Sequence, residues 1–353
     1  MSRTYPEHAR PLWQRLLVTR ESAVIFLLVV VVLYSIINVP FFDGPLTLTY
    51  LLLDVAPILL IALPMTMVIV TGEIDLSVAS VVGLSSVLLG VLTQAGVPFV
   101  GAAVVALAAG AVCGAFNGFL IAYVGLPSLA VTIGTLALFR GLAVGLLGTT
   151  AVTEFPQTWT DLAKATIGTT GVPVVVIPIV VLGVVFGLLL QYSSFGRGIY
   201  DIGLNDEAAR FTGVDVQRSK FVVFVLTGLV SAFAGIFFTL RFGSARGDNA
   251  TGLELQVIAA VLLGGVSIFG GRGKLPGVIA GVLLIGVIAS ALRLQGVTVN
   301  VINIIIGLLL VASVMSTSVL EAVSRLRSRS NRRAAGPTRA PAVGAGTQGR
   351  HTP

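Results

Sequence analysis

Long apolar runs alternate with short clusters of Gly, Pro and charge along nearly the whole chain. Most runs have the roughly 17–25 residues that a helix needs to cross a hydrocarbon core about 30 Å thick. Helices are the expected element because lipid offers no partner to an unpaired backbone group. The pattern predicts ten spans: 22–38, 49–71, 76–94, 98–123, 128–148, 172–191, 220–240, 254–269, 276–296 and 300–320. The eighth is short for a crossing, and almost nothing separates the second from the third. Those places are the candidates for broken or re-entrant helices. The first run follows Arg15 and Arg20, continues for a full span and lacks a small-residue cleavage pattern, so a retained helix is expected rather than a removed leader.

Composition agrees with this reading. Of 353 residues 56% are apolar and only 10% are charged, against roughly 25% charged in soluble domains, and the mean hydropathy is +1.01. Charge then sets the orientation. With the N-terminus inside, every Lys and Arg falls on the cytoplasmic side except Arg140, which lies within a span, and Lys164, Arg241, Arg246 and Arg293. That is the positive-inside distribution. The expected organisation is a cytoplasmic segment 1–21, a transmembrane region 22–320 with a cytoplasmic loop at 192–219, and a basic tail 321–353. The tail's Arg, Ser, Gly and Pro read as disordered, and they account for most of the net charge of +7 without any nucleic acid partner. Cys113 is the single cysteine, and His8 and His351 are the two histidines. No disulfide framework, thiolate metal site or histidine base is expected.

Several motifs carry candidate chemistry. Gly270-Gly271-Arg272-Gly273-Lys274 suggests a phosphate loop, but Ile268 and Leu275 stand where that motif needs Gly and Ser or Thr. Any nucleotide must therefore be bound by another chain. Gly72-Glu73-Ile74-Asp75-Leu76-Ser77-Val78-Ala79-Ser80 places two carboxylates near a membrane boundary, where burial in hydrocarbon would cost roughly 2.5–3.5 kcal/mol each. Either Asp75 caps the entry of a helix, or Glu73, Asp75 and Ser77 line a transport path or gate. Gly110, Gly114 and Gly118 form a small-residue groove for close helix contact, with Asn117 beside it as a packing or ligand-contacting residue. Arg140, inside the fifth span, should face the interior and meet carbonyls or a carboxylate, with Asp54, Glu73 and Glu254 as the candidates, either as a structural ion pair or as a residue of the translocation path or gate. Phe242 to Asn249 reads as a solvated outer loop, or as a place where a soluble partner docks.

The clearest geometry belongs to Asp206-Glu207-Ala208-Ala209-Arg210-Phe211-Thr212-Gly213. Asn205 or Asp206 can cap a short helix that Gly213 ends, in the largest charged interval between apolar runs.

At these residues the chain resembles the membrane subunits of ABC importers for ribose, other sugars and autoinducer-2. Glu207-Ala208-Ala209 followed by Gly213 is similar to the core of that family's coupling helix. GEIDLSVAS (72–80), GAFNGFLIAYVGLPSLAVTIGTLALFRG (114–141) and VLLGGVSIFGGRGKLPG (261–277) look like three further family blocks, in order. RFGSARGDN (241–249) and LPMTMVIVTG (63–72) look most like autoinducer-2 permeases, with rhamnose permeases next. Glu73 and Ala79 depart from the family pattern, each standing where Gly is usual. The resemblance implies an all-α polytopic permease of the type II importer kind in a bacterial cytoplasmic (inner) membrane, with both termini cytoplasmic. It also implies pairing with a second copy or a sister permease, an extracytoplasmic substrate-binding protein, and ATPase subunits that hold the ATP and Mg. No cofactor is implied in this chain, nor any bond-making activity. The coupling residues would be Asp206, Glu207, Ala208, Ala209, Arg210 and Gly213. The competing expectation is a proton-coupled secondary transporter using Glu73 and Asp75.

Overall fold

The computed structural model describes residues 20–309 together with 311, 312 and 315. The N-terminal segment up to residue 19, the tail 321–353 and most of the last span beyond 309 lie outside the described residues, as do both histidines.

All the regular structure described is helical. In chain order the helices are α1 (Arg20–Asn38), α2 (Pro45–Val70), α3 (Val78–Gln94), α4 (Phe99–Ala122), α5 (Ser128–Leu147), α6 (Gln157–Lys164), α7 (Val176–Tyr192), α8 (Ser194–Leu204), α9 (Asp206–Phe211), α10 (Val216–Phe242), α11 (Leu253–Leu263) and α12 (Leu275–Leu294), followed by α13 (Val299–Leu309). Each expected span contains an apolar helix, but they are not ten equal crossings. Among the described residues six are long and apolar enough to span: α1, α2, α4, α5, α10 and α12. A seventh is the pair α7 and α8, bent by 67° at Ser193. The remaining three, α3, α11 and α13, are shorter. The run expected at 254–269 is helical only to Leu263 because Gly264 and Gly265 end it, the latter at φ +94°.

At the centre stands α2, buried over almost its whole length. Around it pack α10, α12, α11 and α7, while α1 lies on the outside against α12. Large apolar side chains on α1, α5 and α7 (Phe26, Leu33, Leu138 and Leu188 among them) point outward, as expected where lipid replaces water. The tightest contact is α4 on α10. A Cβ added at Gly110 would collide with Ala232 and the Gly228 backbone, one at Gly114 with the Phe224 backbone, and one at Gly228 with Gly110. Small residues on both helices thus bring the two backbones together, where dispersion drives association without a hydrophobic effect. The groove expected at Gly110, Gly114 and Gly118 is this seam.

The long helices separate two ends. At one, the residues after α2, the bend at α8 and α9, and the loop before α12 meet: the Gly271 amide donates to the Val70 carbonyl at 2.8 Å. At the other, the loops before α6 and α11 meet: Val152 and Ala245 form an isolated bridge.

Two long helices are each followed by a break and then a short helix. After α2, residues 72–77 re-enter the bundle without helical structure before α3. After α10, residues 243–252 do the same from the other end before α11. Non-helical backbone at such positions is tolerated only where protein or a cavity covers it. Paired interrupted helices in the two halves of a transporter mark the neighbourhood of its path.

Candidate coupling site and gate

At the first end, Ser193 breaks α7 and caps α8, its Oγ accepting from the Gly196 amide at 2.9 Å. One face of α8 is apolar and buried through Ile199 and Ile202. Near its C-terminus Gly203 lies so close to the Val70 carbonyl and the Gly271 amide that no side chain could fit. Asn205 then leaves the helix in extended geometry and caps α9, its Oδ1 accepting from the Ala208 amide at 2.8 Å. In α9, Ala209 is buried beside Ile202 and Val216, whereas Glu207, Ala208 and Arg210 are exposed and Phe211 is 92% exposed. Gly213 turns the chain at φ +86°, which L side chains rarely adopt. Asp215 caps α10 through the Arg218 amide at 3.0 Å. The short helix, its cap and its glycine stop stand where the sequence places them.

Lys220 connects this segment to the first break. Its ammonium donates at 2.7 Å to Glu73 Oε1 and at 2.7 Å to Asp206 Oδ2. The Lys220 and Glu73 side chains are only 11% and 17% exposed, so water screens the pair weakly. Sequence reasoning counted Lys220 for topology alone. Its fourfold offset from Val216 on a helix start, opposite a turn rich in carboxylates, was the available signal.

Asp75 does not join Glu73. It is buried, and its Oδ1 accepts from the Ser77 amide at 2.9 Å and the Ser77 hydroxyl at 2.6 Å. Ser77 Oγ in turn accepts from Asn117 Nδ2 at 2.8 Å, leaving Asn117 Oδ1 buried with no partner. The Ile74 backbone is tied to α5, its amide donating to Ser128 Oγ at 3.2 Å and its carbonyl accepting from Thr132 Oγ1 at 3.2 Å. The structure therefore brings Asp75, Ser77 and Asn117 together at the entry of α3, and turns Glu73 toward Lys220 instead.

Arg140 belongs to the second break. Its guanidinium donates to the Gly247 and Asn249 carbonyls, both at 2.7 Å, and to the Ala79 carbonyl at 3.1 Å. It thus ties the first turn of α3 to the loop before α11. Of the two kinds of partner expected, carbonyls are the ones found. Among the described residues no carboxylate lies within ion-pair distance of Arg140: Asp54 is engaged by Arg241 and Arg293 and Glu73 by Lys220, and Glu254, the third candidate, makes no ion pair with it. Asn249 extends the link, donating from Nδ2 to Ser86 Oγ at 2.9 Å, which also accepts from Thr239 Oγ1 at 2.6 Å. The loop expected to be solvated is thus only partly so. Arg246 and Asp248 form an exposed pair, and the hydrogen bond from Arg246 holds the Asp248 carboxyl below the usual carboxylate range. Gly247 and Asn249, by contrast, turn inward.

An apolar helical bundle with two re-entrant breaks and a capped, exposed helix at one end is the architecture of a membrane permease. Residues 47–314 match the family model described as "Branched-chain amino acid transport system / permease component", and the chain belongs to that family. It is similar to "Autoinducer 2 import system permease protein LsrD" of Photorhabdus temperata, 38% identical over 74% of this chain and 79% of that protein. The protein of the same name from Yersinia enterocolitica is 39% identical over 74% and 80%, and that of Salmonella typhi 37% over the same shares. No solved structure gives a significant match.

Proposed function

We propose that this chain is the membrane subunit of an ATP-driven importer that moves autoinducer-2, or a related sugar-like molecule, inward across a bacterial cytoplasmic membrane. Its termini and α9 lie on the cytoplasmic side, in keeping with the positive-inside distribution. ATP and Mg belong to separate ATPase subunits. A second copy or sister permease completes the pore, and an extracytoplasmic binding protein delivers the substrate. Residues Asp206 to Gly213 are the coupling element, and Glu73, Asp75, Ser77, Asn117 and Arg140 belong to the path or gate.

The observation that carries this reading is α9 itself. A six-residue helix held to the bundle by one buried alanine and the Asp206–Lys220 pair, with Phe211 bare, presents an exposed face that another protein can receive. In alternating access, closure of the ATPase pair displaces α9. The displacement reaches the bundle where Gly203 touches the ends of α2 and of the loop before α12. The names of the similar permeases support the substrate class.

The proton-coupled alternative is disfavoured by geometry. A relay through Glu73 and Asp75 needs the two carboxylates to share a partner or a water path, yet one is bound to Lys220 and the other to Ser77.

The test is reconstitution in liposomes with the ATPase and binding protein. Uptake of autoinducer-2 should require ATP, and Glu207→Lys should abolish it while insertion into the membrane persists. Uptake driven by a proton gradient without the ATPase would overturn the proposal.

A further inference from the structure

We infer that Lys220 is a positioning residue that carries the movement of α9 into the first break, through its two carboxylate partners. The inference rests on the importer reading above and gives it a second route, distinct from the backbone contact at Gly203.

The geometry is specific. Asp206 is the first residue of α9, Lys220 lies in the second turn of α10, and Glu73 lies in the break after α2. One ammonium within 2.7 Å of both carboxylates therefore joins three separate backbones. For the side chains of Asp206 and Glu73, Lys220 is the partner given by the structure. Without it, the two carboxylates, both within reach of one ammonium, would repel. With it, a shift of Asp206 pulls on Glu73. Glu73 is two residues from Asp75, which holds Ser77, the N-cap of α3. The charged link thus ends at the first turn of the short helix that Arg140 grips from the other side. Flexible charged side chains suit such a link, because an ion pair can lengthen or exchange partners with little steric cost, whereas the packed backbone at Gly203 cannot.

The experiment is hydrogen exchange on the assembled permease–ATPase complex, with and without MgATP and vanadate. In the wild-type complex, amides in 70–77 and in 206–213 should change protection together. In Lys220→Gln the change at 206–213 should persist, while that at 70–77 falls about tenfold. Lys220→Arg, which keeps the charge and can bond both carboxylates, should restore it. An unchanged response at 70–77 in Lys220→Gln would overturn the inference while leaving the importer reading intact. Loss of assembly with the ATPase in Lys220→Gln, restored by Lys220→Arg, would also overturn it, by making the triad a brace for docking. A wild-type complex with no nucleotide response at 206–213 would instead remove the importer reading on which the inference stands.

Discussion

The two breaks in this permease are built alike and held differently. The one before α3 is tied largely through charged side chains: Glu73 to Lys220, Asp75 to Ser77, and beyond them Asp206 on the exposed α9. The one before α11 is tied by the Arg140 guanidinium, which joins the Gly247 and Asn249 carbonyls to that of Ala79 on α3, and by the Asn249 amide on Ser86. A guanidinium bonded to carbonyls holds its donors fixed in a plane. The carboxylate–ammonium link can shift, because Lys220 has two acceptors within reach. The difference suits an end that receives mechanical input and an end that keeps its shape.

That comparison can be broken by mutation. The largest expected loss is Arg140→Ala, which would leave three inward carbonyls without their charge-assisted donor. At roughly 1.5–3 kcal/mol per such bond, folded yield in detergent should collapse. Arg140→Lys, with a point charge in place of a fork, should recover part of it, and a thermal melt of the purified protein measures both. Next is Gly203→Ala. Its Cβ would press into the Val70 carbonyl and the Gly271 amide, backbone on both sides, so about 1–3 kcal/mol of strain is expected, read as a lower melting temperature. Asn205→Ala removes the cap of α9 and should cost about 1 kcal/mol. Because α9 is short and peripheral, the loss should appear as faster amide exchange at 206–211 with little change in global melting. The smallest stability effect is expected from Asn117→Leu. It gives up one hydrogen bond to Ser77 but also removes a buried orphan oxygen, so stability should change by under about 1 kcal/mol. A large drop in uptake at unchanged stability would then mark Asn117 as a path residue, and unchanged uptake would leave it a packing residue.

Much of this was legible in the chain. Each of the ten apolar runs holds an apolar helix among the described residues, because lipid enforces length and composition together. The small-residue groove at Gly110 and Gly114 and the cap-to-glycine punctuation of α9 were also readable, since both rest on local rules. What could not be read was partner choice. Glu73 and Asp75 are two residues apart, a spacing that argues against a dyad but does not say which partner each takes: the non-helical backbone sends one to α10 and keeps the other at its own helix entry. Arg140 found carbonyls of a loop more than a hundred positions away, and Lys220 looked like one topogenic charge among many. The breaks were partly readable, from the thin gap between the second and third runs and the shortness of the eighth, but hydropathy carried the eighth run past Gly264 and Gly265, where α11 ends.

The central claim is that force enters at α9 and not at the opposite end. The most direct test places one cysteine at a time in a Cys113→Ala background, at Ala208 on α9 or at Asp248 on the opposite loop. Each variant is then exposed, in membranes, to a short bifunctional crosslinker with the ATPase present. The account predicts a permease–ATPase crosslink from position 208 and none from 248. A crosslink from 248 with none from 208 would contradict it.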